Sequence, residues 1–368
     1  MNLSTDIMQD SSPGNGSFDI AQMDLFVLRS ETLVIICIFS AIFVVGMLGN
    51  IALLSYVICR NRMTSPHNIY STNLAVADLL TLVIAMPFLS SIYVLTNWPF
   101  GEPVCKLSEC IHTLTTSITV FMITALSIER YRVTTVYQTS SNLPSASVIS
   151  FFLWLVAAML AITDLVSAET VSYKNFHFCQ PYKAAWGETY AKTLTLIKFA
   201  FTFAIPMFII TSFYFLIGYK LSSKCSQYDS CYYGENHAEV EEAMSRNSRR
   251  KRMIVLVFGL VLVFVVTWLP RHVYLMWYYF DPSPYDFIWH VVKLTGVCLM
   301  FCNAALNPLV FFSFDPRFRD YCFCRKSQSS GDLEEYNELP HETVILSDLP
   351  GNSVILTNVT QKDGGTKV

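Results

Sequence analysis

Seven stretches of this chain are apolar over lengths that a helix crossing a lipid bilayer requires, and this constrains the fold more than any other feature. The hydrocarbon core is about 30 Å thick and an α-helix rises about 1.5 Å per residue, so a span takes about 20 apolar residues. The stretches cover residues 33–59, 68–95, 105–133, 148–168, 189–221, 253–280 and 287–314. Composition agrees: 53% of the 368 residues are hydrophobic and only 14% charged, against about 25% charged in a soluble domain. Barrel strands would alternate in polarity, and unpaired backbone groups are costly in lipid. The expected fold is therefore an all-α membrane protein, a bundle of seven transmembrane helices.

Basic residues set the orientation, because Lys and Arg collect on the cytosolic side of short loops. Arg60, Arg62, Arg130, Arg132, Lys220, Lys224, the run Arg249 to Arg252, and Arg317, Arg319, Arg325 and Lys326 all fall on one side. The N-terminus, residues 1–32, then lies outside; it carries glycosylation sequons at Asn2 and Asn15 and has no signal-peptide core, so the first span must direct insertion. Of the eleven cysteines, Cys105 and Cys179 face the oxidising side, and one bridge is expected between them.

The domain reading is an N-terminal segment 1–32, a bundle 33–314, a short amphipathic membrane-surface helix 315–324 and a disordered cytosolic tail 325–368. The surface helix rests on Phe314, Phe318 and Tyr321 recurring at helical spacing among charged residues. Cys322 and Cys324 follow at acyl depth and are candidates for palmitoylation. The tail is polar, acidic and rich in Ser and Thr, so it cannot bury a core. It ends in Thr366, Lys367 and Val368, a form that a PDZ groove can take as an added strand.

Polar groups are expensive in hydrocarbon, so each intramembrane charge is a functional candidate. Asp78 is a mid-membrane carboxylate, and Thr119, Asn303 and Asn307 offer oxygens suited to a hard monovalent cation; a protonated Asp78 bonded to Asn307 is the alternative. Pro206, Pro270 and Pro308 each remove a helix hydrogen bond and can hinge their spans. Glu129 beside Arg130 supplies a local ion pair at the cytosolic end.

Asn73 to Leu80 (NLAVADLL), Glu129-Arg130-Tyr131, Thr267-Trp268-Leu269-Pro270, and Asn303 with Asn307-Pro308 stand in four different spans in this order. Together with Gly49-Asn50, Trp154, Pro206 and Tyr214 they resemble the rhodopsin-like (class A) G-protein-coupled receptors, a likeness that covers every span. The resemblance implies a sodium site at Asp78, Thr119, Asn303 and Asn307, with no other cofactor or metal. It implies a switch in which Trp268 and Phe264 repack against Pro206 and Val120 below Pro270, and G-protein coupling through Glu129, Arg130, Tyr131 and Tyr214. Arrestin and receptor kinases would act on the tail. Three positions depart from the family pattern: Arg250 replaces an acid in many relatives, Phe311 the tyrosine of Asn-Pro-x-x-Tyr, and Tyr137 a loop proline.

His112 stands where amine receptors carry an aspartate, and Phe301 where visual pigments carry the retinal lysine, so neither ligand class is implied. Trp268 to Trp277 (WLPRHVYLMW), Trp98-Pro99-Phe100-Gly101 and the stretch from Ala157 to Asp164 look like bombesin and gastrin-releasing-peptide receptors and their invertebrate CCHamide relatives. His112, Asp164, Lys198, Arg271, His272, Tyr274 and Lys293 would then line an outer cavity of mixed charge and aromatic character that suits a peptide. Arg271 pairing with Asp164, and Lys198 or Lys293 snorkelling to the interface, are the structural alternatives. The expectation is a plasma-membrane receptor for an extracellular neuropeptide, not an enzyme, that acts on a heterotrimeric G protein through phospholipase C and calcium. A constitutively active or lipid-activated receptor is the rival. A transporter would show inverted repeats or broken helices, which the sequence lacks.

Overall fold

The computed structural model describes residues 17–59, 65–95, 97–135, 143–173, 176–228, 237–284 and 286–323; within the helices and strands, the side chains of 17–31, 135, 143–144, 173, 176, 221–228, 237–247 and 249–250 stand outside that description. The chain divides into two units, 1–325 and 326–368, and every described residue belongs to the first. The helices are α1 (Ser17–Cys59), α2 (Pro66–Leu80, then Thr81–Ala85 and Met86–Ser91), α3 (Gly101–Thr135) and α4 (Leu143–Ser167). They continue with α5 (Gly187–Phe199, then Ala200–Ala204 and Ile205–Tyr228), α6 (His237–Phe280), α7 (Phe287–Phe314) and α8 (Pro316–Cys322). Seven of them are long and apolar enough to cross a membrane.

Local chemistry explains several boundaries. Ser65 caps α2 by accepting from the Asn68 backbone N–H at 3.4 Å, and Pro66 takes the first helical position, where no N–H is needed. Asp286 caps α7 and Asp315 caps α8 in the same way. The segments Thr81–Ala85 and Ala200–Ala204 are π-helical turns just ahead of Pro87 and Pro206; each proline lacks a donor and crowds the preceding turn, which widens to absorb it. Pro270 and Pro308 lie inside α6 and α7. The first helix begins at Ser17, well ahead of residue 33, and α6 at His237, well ahead of residue 253.

The third span is the axis of the bundle: 67% of its apolar window is buried, against 22% for the first, fourth and fifth spans. On those peripheral helices large apolar side chains point outward, Phe208 at 76% and Phe215 at 73% exposure. That surface is at home only against lipid. Because lipid gives apolar groups no reason to leave it, buried polar bonds and close backbone packing tie the helices together. The Asn50 amide donates to the Ala304 carbonyl at 2.8 Å (α1 to α7), and the Trp154 indole to Asn73 Oδ1 at 2.8 Å (α4 to α2). Gly49 lets Pro308 in so closely that a Cβ there would stand 2.6 Å from its ring.

Outside the bundle, β1 (Glu169–Tyr173) and β2 (Phe176–Gln180) form an antiparallel hairpin after α4, with Thr170 opposite Cys179. The expected disulfide is present: Cys179 is bonded to Cys105 near the outer end of α3. Trp98 is buried beside Cys105 and Ala168, and its N–H donates to the His177 carbonyl at 2.9 Å, which ties the hairpin down from the other side. The hairpin is thus held over the outer mouth of the bundle rather than left to move.

Candidate functional site

The outer cavity is built where α3, α4, α5, α6 and α7 diverge. Asp164 on α4 is fully buried, and Lys198 on α5 reaches it in a short charge-assisted contact. The Lys198 ammonium also lies 5.4 Å from the ring centre of Tyr182, which packs edge-on against Tyr279 at 5.8 Å and bonds Thr195 at 3.1 Å. Asp164 therefore pairs with Lys198 and not with Arg271. The Arg271 guanidinium instead lies 5.9 Å from the Tyr274 ring, and Lys293 lies 5.7 Å from the Tyr93 ring. Among the described residues neither cation meets a carboxylate. Cations over ring faces retain their charge and their hydrogen-bonding capacity for a further partner.

The floor of this cavity is aromatic and continues inward. His112 lies flat against Trp268, with ring centres 5.8 Å apart and planes at 17°. His272 packs between Phe199, at 5.3 Å, and Phe203, at 4.8 Å, and contacts Trp268 at 6.0 Å. His112 Nδ1, His272 Nε2 and Trp268 Nε1 are all buried without a hydrogen-bond partner among the described residues. Below them Phe264 is fully buried and stacks on Trp268 at 5.8 Å, and Val120 is fully buried beside them in the same core. Of the residues expected of the switch, Phe264 and Trp268 are thus in direct ring contact.

Beneath Trp268 a small cavity is lined by Asp78, His112, Thr119, Trp268 and Asn303 among others. The space open to a water's centre is about 10 Å³, room for about one water or a bare monovalent ion. Asn307 donates to Asp78 Oδ2 at 2.9 Å, and Asn303 donates to Thr267 Oγ1 at 3.1 Å. Asn307 Oδ1 is buried with no partner. Asp78, Thr119 and Asn303 thus bring oxygen-bearing side chains to a water-sized void, while Asn307 is not among the groups that line it.

At the other end of the bundle Arg130 is held by Glu129, with 3.3 Å between Nη2 and Oε2. Tyr214 donates to the Ile254 carbonyl of α6 at 3.2 Å, and Tyr131 packs on Phe213 at 5.1 Å. Phe311 is buried against His67, ring centres 6.1 Å apart, and His67 Nδ1 has no partner. On α8, Phe318 is buried against Tyr56 at 5.5 Å, and Cys322 is exposed. The side chain of Arg250, with Tyr137, Asn2, Asn15, Cys324, Thr366, Lys367 and Val368, lies outside the described residues.

Two residues were passed over in the sequence. His67 reads as one more polar residue near a helix start. Glu109 reads as the third member of a surface ladder with Glu102 and Lys106, which do pair at 2.5 Å. The signal that could have found Glu109 is its spacing: it lies one turn above His112, on the helix face that points into the cavity.

A seven-helix membrane bundle with a buried aromatic centre and an ion-paired arginine near one end has the architecture of a membrane receptor. The sequence matches the family described as 7 transmembrane receptor (rhodopsin family) over residues 49–311, and the chain belongs to that family. It is 31% identical over 318 residues to the neuropeptide CCHamide-1 receptor of Drosophila melanogaster, a match covering 81% of this chain and 62% of that receptor. It is 26% identical over 299 residues to galanin receptor 2b of Danio rerio, covering 80% of this chain and 75% of the other. Galanin receptor type 1 of Rattus norvegicus is 26% identical over 349 residues, covering 89% and 94%.

Proposed function

We propose that this chain is a plasma-membrane receptor, N-terminus outside, that binds an extracellular neuropeptide and activates a heterotrimeric G protein through the phospholipase C and calcium route. The observation that carries the reading is the outer cavity, where Arg271 and Lys293 sit over tyrosine rings and, among the described residues, meet no carboxylate. Such a surface favours a ligand with carbonyl, carboxylate or carboxamide groups as well as apolar ones, as a peptide has. Relatives named for CCHamide-1 and galanin support the same class. His112, His272 and Tyr274 complete the contact surface, and the Asp164 and Lys198 pair holds α4 to α5 behind it.

Binding is read inward through His112, which rests on Trp268. A shift of Trp268 against Phe264, Val120, Pro206 and Pro270 would move the inner end of α6 and free Arg130 from Glu129 for the G protein, with Tyr131 and Tyr214 at the same surface. A sodium ion fits the cavity beside Asp78, where Thr119, Asn303 and Asn307 would hold it. It would supply the positive charge that the carboxylate requires and so favour the closed bundle. Arrestin and receptor kinases would engage the tail and a PDZ protein its last three residues, with glycans on Asn2 and Asn15 and acyl chains on Cys322 and Cys324.

The test is a calcium and cAMP screen of transfected cells with synthetic CCHamide-1, galanin and other amidated or disulfide-closed peptides, surface expression being verified. A saturable calcium rise to one peptide is the expected result. High signalling without any peptide would favour the constitutively active or lipid-activated reading, for which Arg250 in place of the family acid is the relevant departure.

A further inference from the structure

The charges of the outer cavity do not balance in pairs. Two acids, Glu109 and Asp164, face three cations, Lys198, Arg271 and Lys293, and Asp164 is taken by Lys198. Glu109 is half-buried on α3, within electrostatic reach of the Asp164 and Lys198 pair and of Arg271. It makes no hydrogen bond or ion pair with any of the described residues. Tyr93, at the outer end of α2, is within reach of both Glu109 and Arg271. One turn inward lies His112, whose Nδ1 is buried and unpartnered.

An acid and an arginine that feel one another across a cavity yet do not touch leave a gap between opposite charges. A group inserted there gains most if it is itself dipolar or carries both signs. Holding a lone carboxylate on a half-buried helix face is unfavourable unless it takes up a proton or a cationic group arrives to meet it. An ammonium or guanidinium group of the ligand brings both the positive charge and the N–H donors that a carboxylate accepts.

We infer that Glu109 is a cation-recognising contact of the outer cavity, taking an ammonium or guanidinium group of the peptide while Arg271 takes an oxygen-bearing group beside it. This deepens the peptide reading and rests on it. The two opposed residues set both the register and the charge preference of the bound peptide: basic toward α3, acidic or carboxamide toward α6. A structural role for Glu109, as a distant counter-charge to Arg271, would affect expression but not which peptide charge is preferred.

The experiment pans an amidated decapeptide library, with equal lysine, glutamine and glutamate at each position, on purified receptor in lipid nanodiscs. The wild type, Glu109→Gln and Glu109→Lys are compared, with the library in free and N-acetylated forms. The wild type should enrich lysine at one position, or a free amino terminus, and acetylation separates the two sources. Glu109→Gln, nearly isosteric and expected to fold, should lower that enrichment about tenfold, the scale of one charge-assisted hydrogen bond. Glu109→Lys should reverse the preference to glutamate. Peptides enriched equally by the wild type and Glu109→Gln, with the same charge preference, would overturn the inference while leaving the peptide reading intact. No peptide enriched by the wild type would overturn both.

Discussion

The outer and inner ends of this bundle solve the problem of buried polarity in opposite ways. At the inner end the polar groups close on one another: Arg130 on Glu129, and the Tyr214 hydroxyl on the Ile254 carbonyl. At the outer end Asp164 and Lys198 do so, while Arg271 and Lys293 lie over tyrosine rings and Glu109 makes no hydrogen bond or ion pair among the described residues. The difference teaches where each end awaits its partner. On the proposed reading the outer end awaits charges that a ligand would supply, while the inner end is held by the Arg130 and Glu129 pair until motion opens it.

The comparison breaks first at the one outer pair that does close. Lys198→Ala leaves Asp164, fully buried, without its partner, and breaking a buried pair in this way costs about 3–5 kcal/mol. Surface expression and thermal stability should fall sharply. The double variant Asp164→Leu with Lys198→Leu should recover most of the loss, because an apolar pair removes both charges. Recovery of stability without recovery of peptide potency would assign the pair a ligand role as well.

Arg271→Glu probes the incomplete part. Reversing a charge that only the ligand satisfies should lower peptide potency about a hundredfold, two charge-assisted contacts' worth, with normal expression. Unchanged potency at normal expression would remove Arg271 from the contact surface. Next in size is the middle of the bundle. Sodium should lower agonist affinity in the wild type, and Asp78→Asn should abolish that dependence; affinity that is flat with sodium in the wild type would mean a protonated Asp78 bonded to Asn307. The smallest effect is at the inner end, where Phe311→Tyr restores a hydroxyl beside His67. Agonist efficacy should rise by at most about fivefold, the scale of one net hydrogen bond, read as peptide-stimulated nucleotide exchange.

Much of the fold was legible in the sequence because lipid imposes so few solutions. Apolar length marked the spans, loop charge oriented them, and topology alone paired Cys105 with Cys179. The centre of the bundle was legible for a related reason: Asp78, Asn303 and Asn307 are expensive in hydrocarbon, so each announces itself. The outer site was harder. Whether Asp164 meets Arg271 or Lys198 depends on how α4, α5 and α6 diverge, and both choices read alike along the chain. Glu109 was hidden because a charge near a helix end is ordinary at an interface, and only the three-dimensional face of α3 turns it toward the cavity. The π-helical turns were equally hidden, since proline shows where a helix must adjust but not how.

The central claim, that a peptide completing the outer end opens the inner one, is tested most directly by G-protein nucleotide exchange on purified receptor in nanodiscs. Wild type and Arg130→Ala would be compared, each with the peptide found active in the calcium screen. Exchange stimulated by peptide in the wild type and absent in Arg130→Ala, with peptide binding retained in both, is the expected result. Peptide binding without any stimulated exchange in the wild type, or undiminished exchange in Arg130→Ala, would contradict the account.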